Sequence, residues 1–226
     1  MSKNLAITLG LILVAVVGLG LLVGLNEPDQ SPDGSEQANT PEGGTTAPEE
    51  TLVREDSRFL DQHDDASVTV VEFLDFECEA CRAQYPVIER IREEYEGQID
   101  VVVRYFPMPG HTNSAPAAAA VEAAAQQGAL EEMYQRMFET QAEWGESQED
   151  RSDVFVGFAE DLGLDMDEFT ETMGSEETLE RVQADFDDGV ELGVQGTPTI
   201  YVDGQQTTTM PDYEELSSMI DQGLEE

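Results

Sequence analysis

The segment Val68–Phe76 (VTVVEFLDF) is a nearly continuous apolar run. A strand of that composition belongs at the centre of a sheet, buried on both faces. It points the chain to an α/β arrangement, and the flanking pattern agrees. A helix is predicted from Cys78 to Tyr95, with Tyr85, Ile88, Ile91 and Tyr95 three and four residues apart and Gly97 as its stop. Pro86 falls inside it and is expected to kink it. Ile99–Phe106 (IDVVVRYF) reads as the next strand. A helix capped by Ser114, with Pro116 in its first turn, carries the alanine run Ala117–Ala125. Further helices read at Leu130–Gln141, Asp153–Leu162, Asp165–Thr172 and Glu176–Leu192. Asp165 with Glu168 makes a capping-box-like start. Leu179, Val182, Phe186 and Val190 form the expected apolar stripe of the last helix. Thr199–Val202 and Gln205–Thr209 flank Asp203-Gly204, a two-residue hairpin signal, and Pro211 opens a final helix ending near Leu224.

The N-terminus follows different rules. Leu5 to Leu25 is 21 residues without a charge, and a helix of that length spans the ~30 Å hydrocarbon core of a bilayer. It is longer than the apolar region of a cleavable signal, and no A-x-A pattern follows it. Lys3 precedes it and Glu27 and Asp29 follow, which puts the N-terminus in the cytoplasm and the rest outside. A cleaved secretory signal is the alternative, and it leaves the domain in the same compartment. Residues 26–50, with Pro28, Pro32, Pro41 and Pro48 among acids and small polar residues, read as a disordered tether. The expected organisation is a transmembrane anchor over 1–25, a linker over 26–50 and one domain over 51–226.

Charge excludes whole classes of function. Fifty acidic against ten basic residues give a formal net charge of -40, so the chain is not a nucleic-acid binder. Lys3 is the only lysine; the other nine basic residues are arginines. An acid-rich, lysine-poor surface suits work in strong salt, where screening over ~3 Å at 1 M removes most self-repulsion. A merely acidic surface or a compositional bias gives the same numbers.

The only two cysteines, Cys78 and Cys81, stand at the strand-to-helix junction in FECEAC. A helix start favours the thiolate, and the i, i+3 spacing puts both sulfurs on one side of the first turn. Cys78 is then the exposed member and Cys81 the buried one. One sulfur can attack a substrate disulfide and the other resolve the mixed disulfide. As a structural bridge the pair closes a loop too short to stabilise much. As half of a zinc site it lacks partners, because only His63 and His111 remain, without finger-like spacing. Glu77 and Glu79 beside the pair argue against a buried core position. Glu72 interrupts the apolar strand six residues earlier. It is either a proton donor or acceptor for Cys81, or a position that opens to solvent or pairs with an arginine. Pro198, in Gly196-Thr197-Pro198-Thr199, sits at a strand start, which is ordinary for proline.

Together these segments resemble the thioredoxin superfamily, and within it the DsbA-like thiol–disulfide oxidoreductases of the bacterial membrane-anchored branch. VVEFLDFECEAC resembles the family's strand and active-site signature. VVVRYFPMPGHTNSAPAAAAVEAA resembles its next strand and first inserted helix, and GVQGTPTIYVDG its proline loop and hairpin. The resemblance covers about residues 52–224. It implies a thioredoxin fold with a helical insertion over about 114–192. It further implies Cys78 as nucleophile, Cys81 as resolving cysteine, Glu72 as the buried acid and Pro198 as a cis-proline beside the disulfide. Thr197 would offer backbone hydrogen bonds to a substrate strand, and His111 would be structural or link the insertion to the core. No metal or organic cofactor is implied.

Between the cysteines stand Glu79 and Ala80, where strong oxidants of this family carry aromatic, basic or proline residues. A carboxylate ~7 Å from a sulfur disfavours the thiolate by roughly 2 kcal/mol, comparable with the opposite effect of a helix terminus, about 0.3–2 kcal/mol. A strongly depressed Cys78 thiol is therefore not assured, and the hypothesis is a less oxidising or more salt-dependent enzyme. The reading is a membrane-tethered extracytoplasmic dithiol oxidase acting on exported cysteine-containing proteins and reoxidised by a membrane partner, quinone-coupled in the family. A reductase or isomerase is the nearest alternative; a non-catalytic binding or chaperone module on the same scaffold is the more distant one.

Overall fold

The computed structural model describes residues 46–225. The anchor over 1–25 and most of the linker over 26–50 lie outside the described residues. Among the described residues no helix is long and apolar enough to cross a membrane. The elements are α1 (Glu49–Leu52), β1 (Arg58–Asp61), β2 (Val68–Leu74), α2 (Glu79–Glu94), β3 (Ile99–Tyr105), α3 (Ser114–Gln126), α4 (Leu130–Trp144), α5 (Ser152–Leu162), α6 (Met166–Met173), α7 (Glu176–Glu191), β4 (Thr199–Val202), β5 (Gln205–Gln206) and α8 (Tyr213–Leu224). One sheet has the order β1-β3-β2-β4-β5. β2 runs parallel to β3, and β1, β4 and β5 pair antiparallel with their neighbours.

β2 is central, and its alternating side chains feed two cores. Val68 and Val70 join Ile99, Val101, Ile200 and Val202 under Ile88 and Ile91 of α2 and Leu216 and Ile220 of α8. Val71 and Phe73 point the other way, to Val102, Phe106 and Tyr201. Helices α3–α7 form the insertion between β3 and β4. The alanine run makes α3 its hub: Ala117, Ala120, Ala123 and Ala124 are fully buried, and α3 touches all four other helices. Side chains this small let several helices close on one axis.

Several expectations need correction. The folded part begins before residue 51, because Thr46 bridges Gln205, the Ala47 N–H bonds the Gly204 carbonyl, and α1 starts at Glu49. β1, four residues with charged ends, was not foreseen. The Ser114 hydroxyl does not cap α3; Asn113 holds the cap position, also without a side-chain cap bond, and the hydroxyl is buried with no partner. The helix expected around Pro86 is present as α2, with Pro86 inside it and no N–H there to give to the Arg82 carbonyl. β5 ends at Gln206 rather than Thr209, and α8 starts after an Asp212 cap that accepts from the Glu215 N–H at 2.9 Å. At the β4–β5 turn Asp203 and Gly204 both have positive φ, 46° and 80°. A Cβ on Gly204 would also lie 2.8 Å from the Ala47 carbonyl oxygen.

The largest correction concerns α7. Of its expected apolar stripe Val182 is buried and Phe186 packs on the core, but Leu179 and Val190 are 52% and 54% exposed, and the helix also buries Thr178, Arg181, Asp185 and Asp188. The two aspartates pair with Arg104 of β3, which is 0% exposed. Arg104 donates to Asp185, to Asp188 and to the carbonyls of Thr51 (2.8 Å) and Leu52 (2.6 Å). Arg181 adds a bridge to Asp185 at 2.7 Å, and Arg54 one to Asp188. The inward face is polar because each buried charge meets an opposite one. Among the described residues, eight of the nine arginines are in ion pairs, all except Arg82.

Candidate active site

Four residues, Asp75–Cys78, join β2 to α2, and every one is held. The Asp75 carboxylate accepts from the N–H groups of Glu77 (2.8 Å) and Met108 (3.0 Å) and meets His111 Nδ1 at 2.6 Å. Glu77 accepts from the Asn113 N–H at 2.6 Å. The carbonyls of Phe76 and Cys78 both accept from Gln141 of α4. Glu77 is thus not exposed, as its charge suggested, but 2% exposed and tied to the start of the insertion. His111 does link the insertion to the core. Burial works against its charged form, yet the Asp75 carboxylate outweighs this and raises its pKa.

Cys78 is the N-cap of α2, half-buried, and Cys81 lies one turn in with 0% exposure; both are free thiols. Across the groove the Thr197–Pro198 peptide is cis. As a thiol, Cys78 donates to the Thr197 carbonyl at 3.3 Å. Cys81 Sγ accepts from the Asp75 N–H at 3.5 Å. A groove of ≈ 400 Å³ continues past Pro198, lined by Thr197, Thr199, Gln206, Thr207 and Thr208 and carrying no charge. Of the residues singled out in the sequence, Cys78, Cys81, Thr197 and Pro198 therefore meet at one place. Ala80 is half-buried in the first turn of α2, and Glu79 is exposed.

The two sulfurs differ sharply. A hydrogen bond from Cys81 pulls the Cys78 thiol down to about 5 against the cost of partial burial, with help from Thr197 and the backbone N–H groups of Cys81 and Ala80. Burial, then the bond to Cys78 and the nearby charges of Glu72 and Cys78, push Cys81 well above its ordinary value. Glu79 does not offset the lowering at Cys78: its carboxylate stands in solvent, and the hydrogen bonds at the sulfur decide. Alkylation of Cys78 in the reduced protein should accordingly be half-maximal near pH 5 and flat from about pH 6 to 8. A rate still climbing at about pH 8, as for a free cysteine, would contradict this.

Glu72 neither opens to solvent nor pairs with an arginine. It is 2% exposed, and among the described residues it makes no ion pair. Burial, with the charges of Glu89 and Cys78, raises its carboxyl from 4.5 to about 8. A raised folded pKa contributes stability that is complete below the unfolded value and lost as pH rises through the folded one. Glu72→Gln should therefore match the parent near pH 4. By pH 7 it should be more stable by about 3 kcal/mol, read by denaturant unfolding at the two pH values.

Asp75, Asn113 and Gln141 were not singled out in the sequence, and Glu77 was read as exposed. In a chain with 50 acids a buried carboxylate looks like a solvated one. The one available signal was that Asp75 and Glu77 crowd the end of an apolar strand.

Comparison with known proteins agrees with this geometry. The family described as Thioredoxin matches residues 63–222. The chain is 33% identical over 172 residues to a probable disulfide bond formation protein D of Bacillus anthracis, covering 71% of this chain and 76% of that one. It is 34% identical over 157 residues to the Na(+)/H(+) antiporter NhaA 1 of Salinispora arenicola. That alignment covers 69% of this chain and spans only 23% of the antiporter's length. Among solved structures, a thioredoxin-like oxidoreductase of Silicibacter pomeroyi aligns with a TM-score of 0.68 at 24% identity, over 80% of this chain and 99% of that one. BdbD of Bacillus subtilis aligns at 0.66 and 22%, over 81% and 98%. With its thiol pair at the head of α2 and its cis-proline opposite, the chain belongs to the thioredoxin family.

Proposed function

We propose that this protein works outside the cytoplasm as a dithiol oxidase, donating its Cys78–Cys81 disulfide to exported proteins. The observation that carries the direction is the depressed Cys78 thiol beside a buried, raised Cys81. A stabilised thiolate is a good leaving group and favours the reduced enzyme, which makes the disulfide a strong oxidant. The name of the Bacillus anthracis relative, a probable disulfide bond formation protein, supports the same direction.

A client thiolate attacks Cys78 Sγ, the S–S bond breaks, and Cys81 leaves as a thiolate. Glu72, protonated at neutral pH, is the proposed proton source for it. A second client thiolate attacks the client sulfur of the mixed disulfide, and Cys78 leaves as a thiolate. Two client thiols become one disulfide, and the enzyme disulfide becomes a dithiol. A membrane partner then reoxidises the enzyme. The uncharged groove past Pro198 is the surface offered to a client strand. The apolar segment Leu5–Leu25 supports a single-pass anchor with the domain outside, and the net charge of -40 supports work in strong salt.

The test is the equilibrium potential of the dithiol against glutathione, read by thiol labelling. A value toward -120 mV, on the order of strong oxidants, is expected; one near -270 mV would make the protein a reductant.

A further inference from the structure

The insertion reaches into the catalytic turn through one amide. Gln141 of α4 is 2% exposed. Its Nε2 group donates to the Phe76 carbonyl at 2.7 Å and to the Cys78 carbonyl at 2.9 Å. The Cys78 carbonyl is also the first acceptor of α2, taking the Arg82 N–H at 3.2 Å. Space for this side chain is kept by the glycine that follows α4. A Cβ on Gly145 would lie 2.8 Å from the Gln141 carbonyl oxygen and 3.2 Å from its Cγ.

We propose that Gln141 is a positioning residue that sets the reactivity of Cys78 and the redox potential of the pair, whichever way electrons run. An uncharged NH₂ group has two protons for two carbonyls. Methionine has none, an ionised glutamate offers only acceptors, and a lysine would bury a charge. The two bonds fix the Phe76 and Cys78 peptide units, and hence the N-cap geometry from which the Ala80 and Cys81 N–H groups reach the sulfur. They also draw off the negative end of the Cys78 carbonyl, the dipole nearest a thiolate in the same residue. A disulfide sulfur gains far less from that.

The test uses Gln141→Met, which keeps length and shape, and Gln141→Glu, each checked for folding by circular dichroism. The other charged groups near Cys78 stay in place: Glu72 on β2, Asp75 and Glu77 in the turn, His111 after β3, and Glu79 and Cys81 on α2. The alkylation rate of Cys78 near pH 5 should fall about five- to tenfold in the methionine variant. Its equilibrium constant with glutathione should move by the same factor toward the disulfide. A side chain that merely packs would lower the melting temperature and leave both quantities unmoved. A folded methionine variant within about twofold of the parent on both overturns the proposal. If neither variant folds, NMR of the unsubstituted protein decides. The Gln141 Nε2 protons should exchange slowly and shift between the dithiol and disulfide states; rapid exchange without a shift overturns it.

Discussion

Cys81→Ala is expected to lower turnover on the order of a thousandfold or more while leaving Cys78 fully able to attack. The half-buried Cys78 at the N-cap of α2 still breaks the disulfide of a client, and one client sulfur leaves as a thiolate. The mixed disulfide then persists, because no second sulfur stands one turn away to displace the client. Incubation with a disulfide-bonded peptide should therefore give an adduct on Cys78, seen on a non-reducing gel and located by mass spectrometry. Cys78→Ser should give none and no turnover. A binding module on the same scaffold would keep its function in Cys78→Ser and trap nothing in Cys81→Ala. Removing Cys81 also removes the main hydrogen bond that depresses Cys78, so the alkylation midpoint of the alanine variant should move upward from about 5.

The second large effect concerns stability. Arg104→Leu should cost about 3–5 kcal/mol, because it leaves Asp185 and Asp188 buried with part of their positive charge gone. For a domain of this size that is a fall in melting temperature of roughly 10 °C. It also strips the Thr51 and Leu52 carbonyls of a donor. Arg104→Lys should recover less than half of the loss, since an ammonium group cannot present the guanidinium fork to four acceptors. The loss should be nearly the same in dilute buffer and in multimolar salt, because the group is 0% exposed and out of reach of screening ions. A loss that vanished in salt would place the interaction at the surface instead.

These two effects also mark where the sequence was readable. β2, β3, the Asp203-Gly204 hairpin and the Cys78–Cys81 pair follow from apolar runs, turn chemistry and spacing, and each stands where that reasoning put it. The α/β class and the helical insertion follow from the same signals. Reading failed where the interior is polar. Val182 and Phe186 of the expected stripe do pack inward, but Leu179 and Val190 do not, and the inward face of α7 also carries Asp185 and Asp188, because Arg104 waits for them 81 and 84 residues earlier in the chain. Hydrophobic periodicity has no means of detecting a buried ion network. The active-site turn shows the same limit. Its cysteines were legible, while the partners that hold it, His111, Asn113 and Gln141, come from beyond β3, and only His111 carried a hint of its role.

The start of the described chain closes the exposed side of the hairpin. Thr46 bridges Gln205, and the Ala47 N–H fills the Gly204 carbonyl, so the two-residue β5 offers no bare ladder at that rim. A neighbouring copy that drifted alongside would find no strand there to extend, even in brine concentrated enough to mute the repulsion between two such acidic bodies.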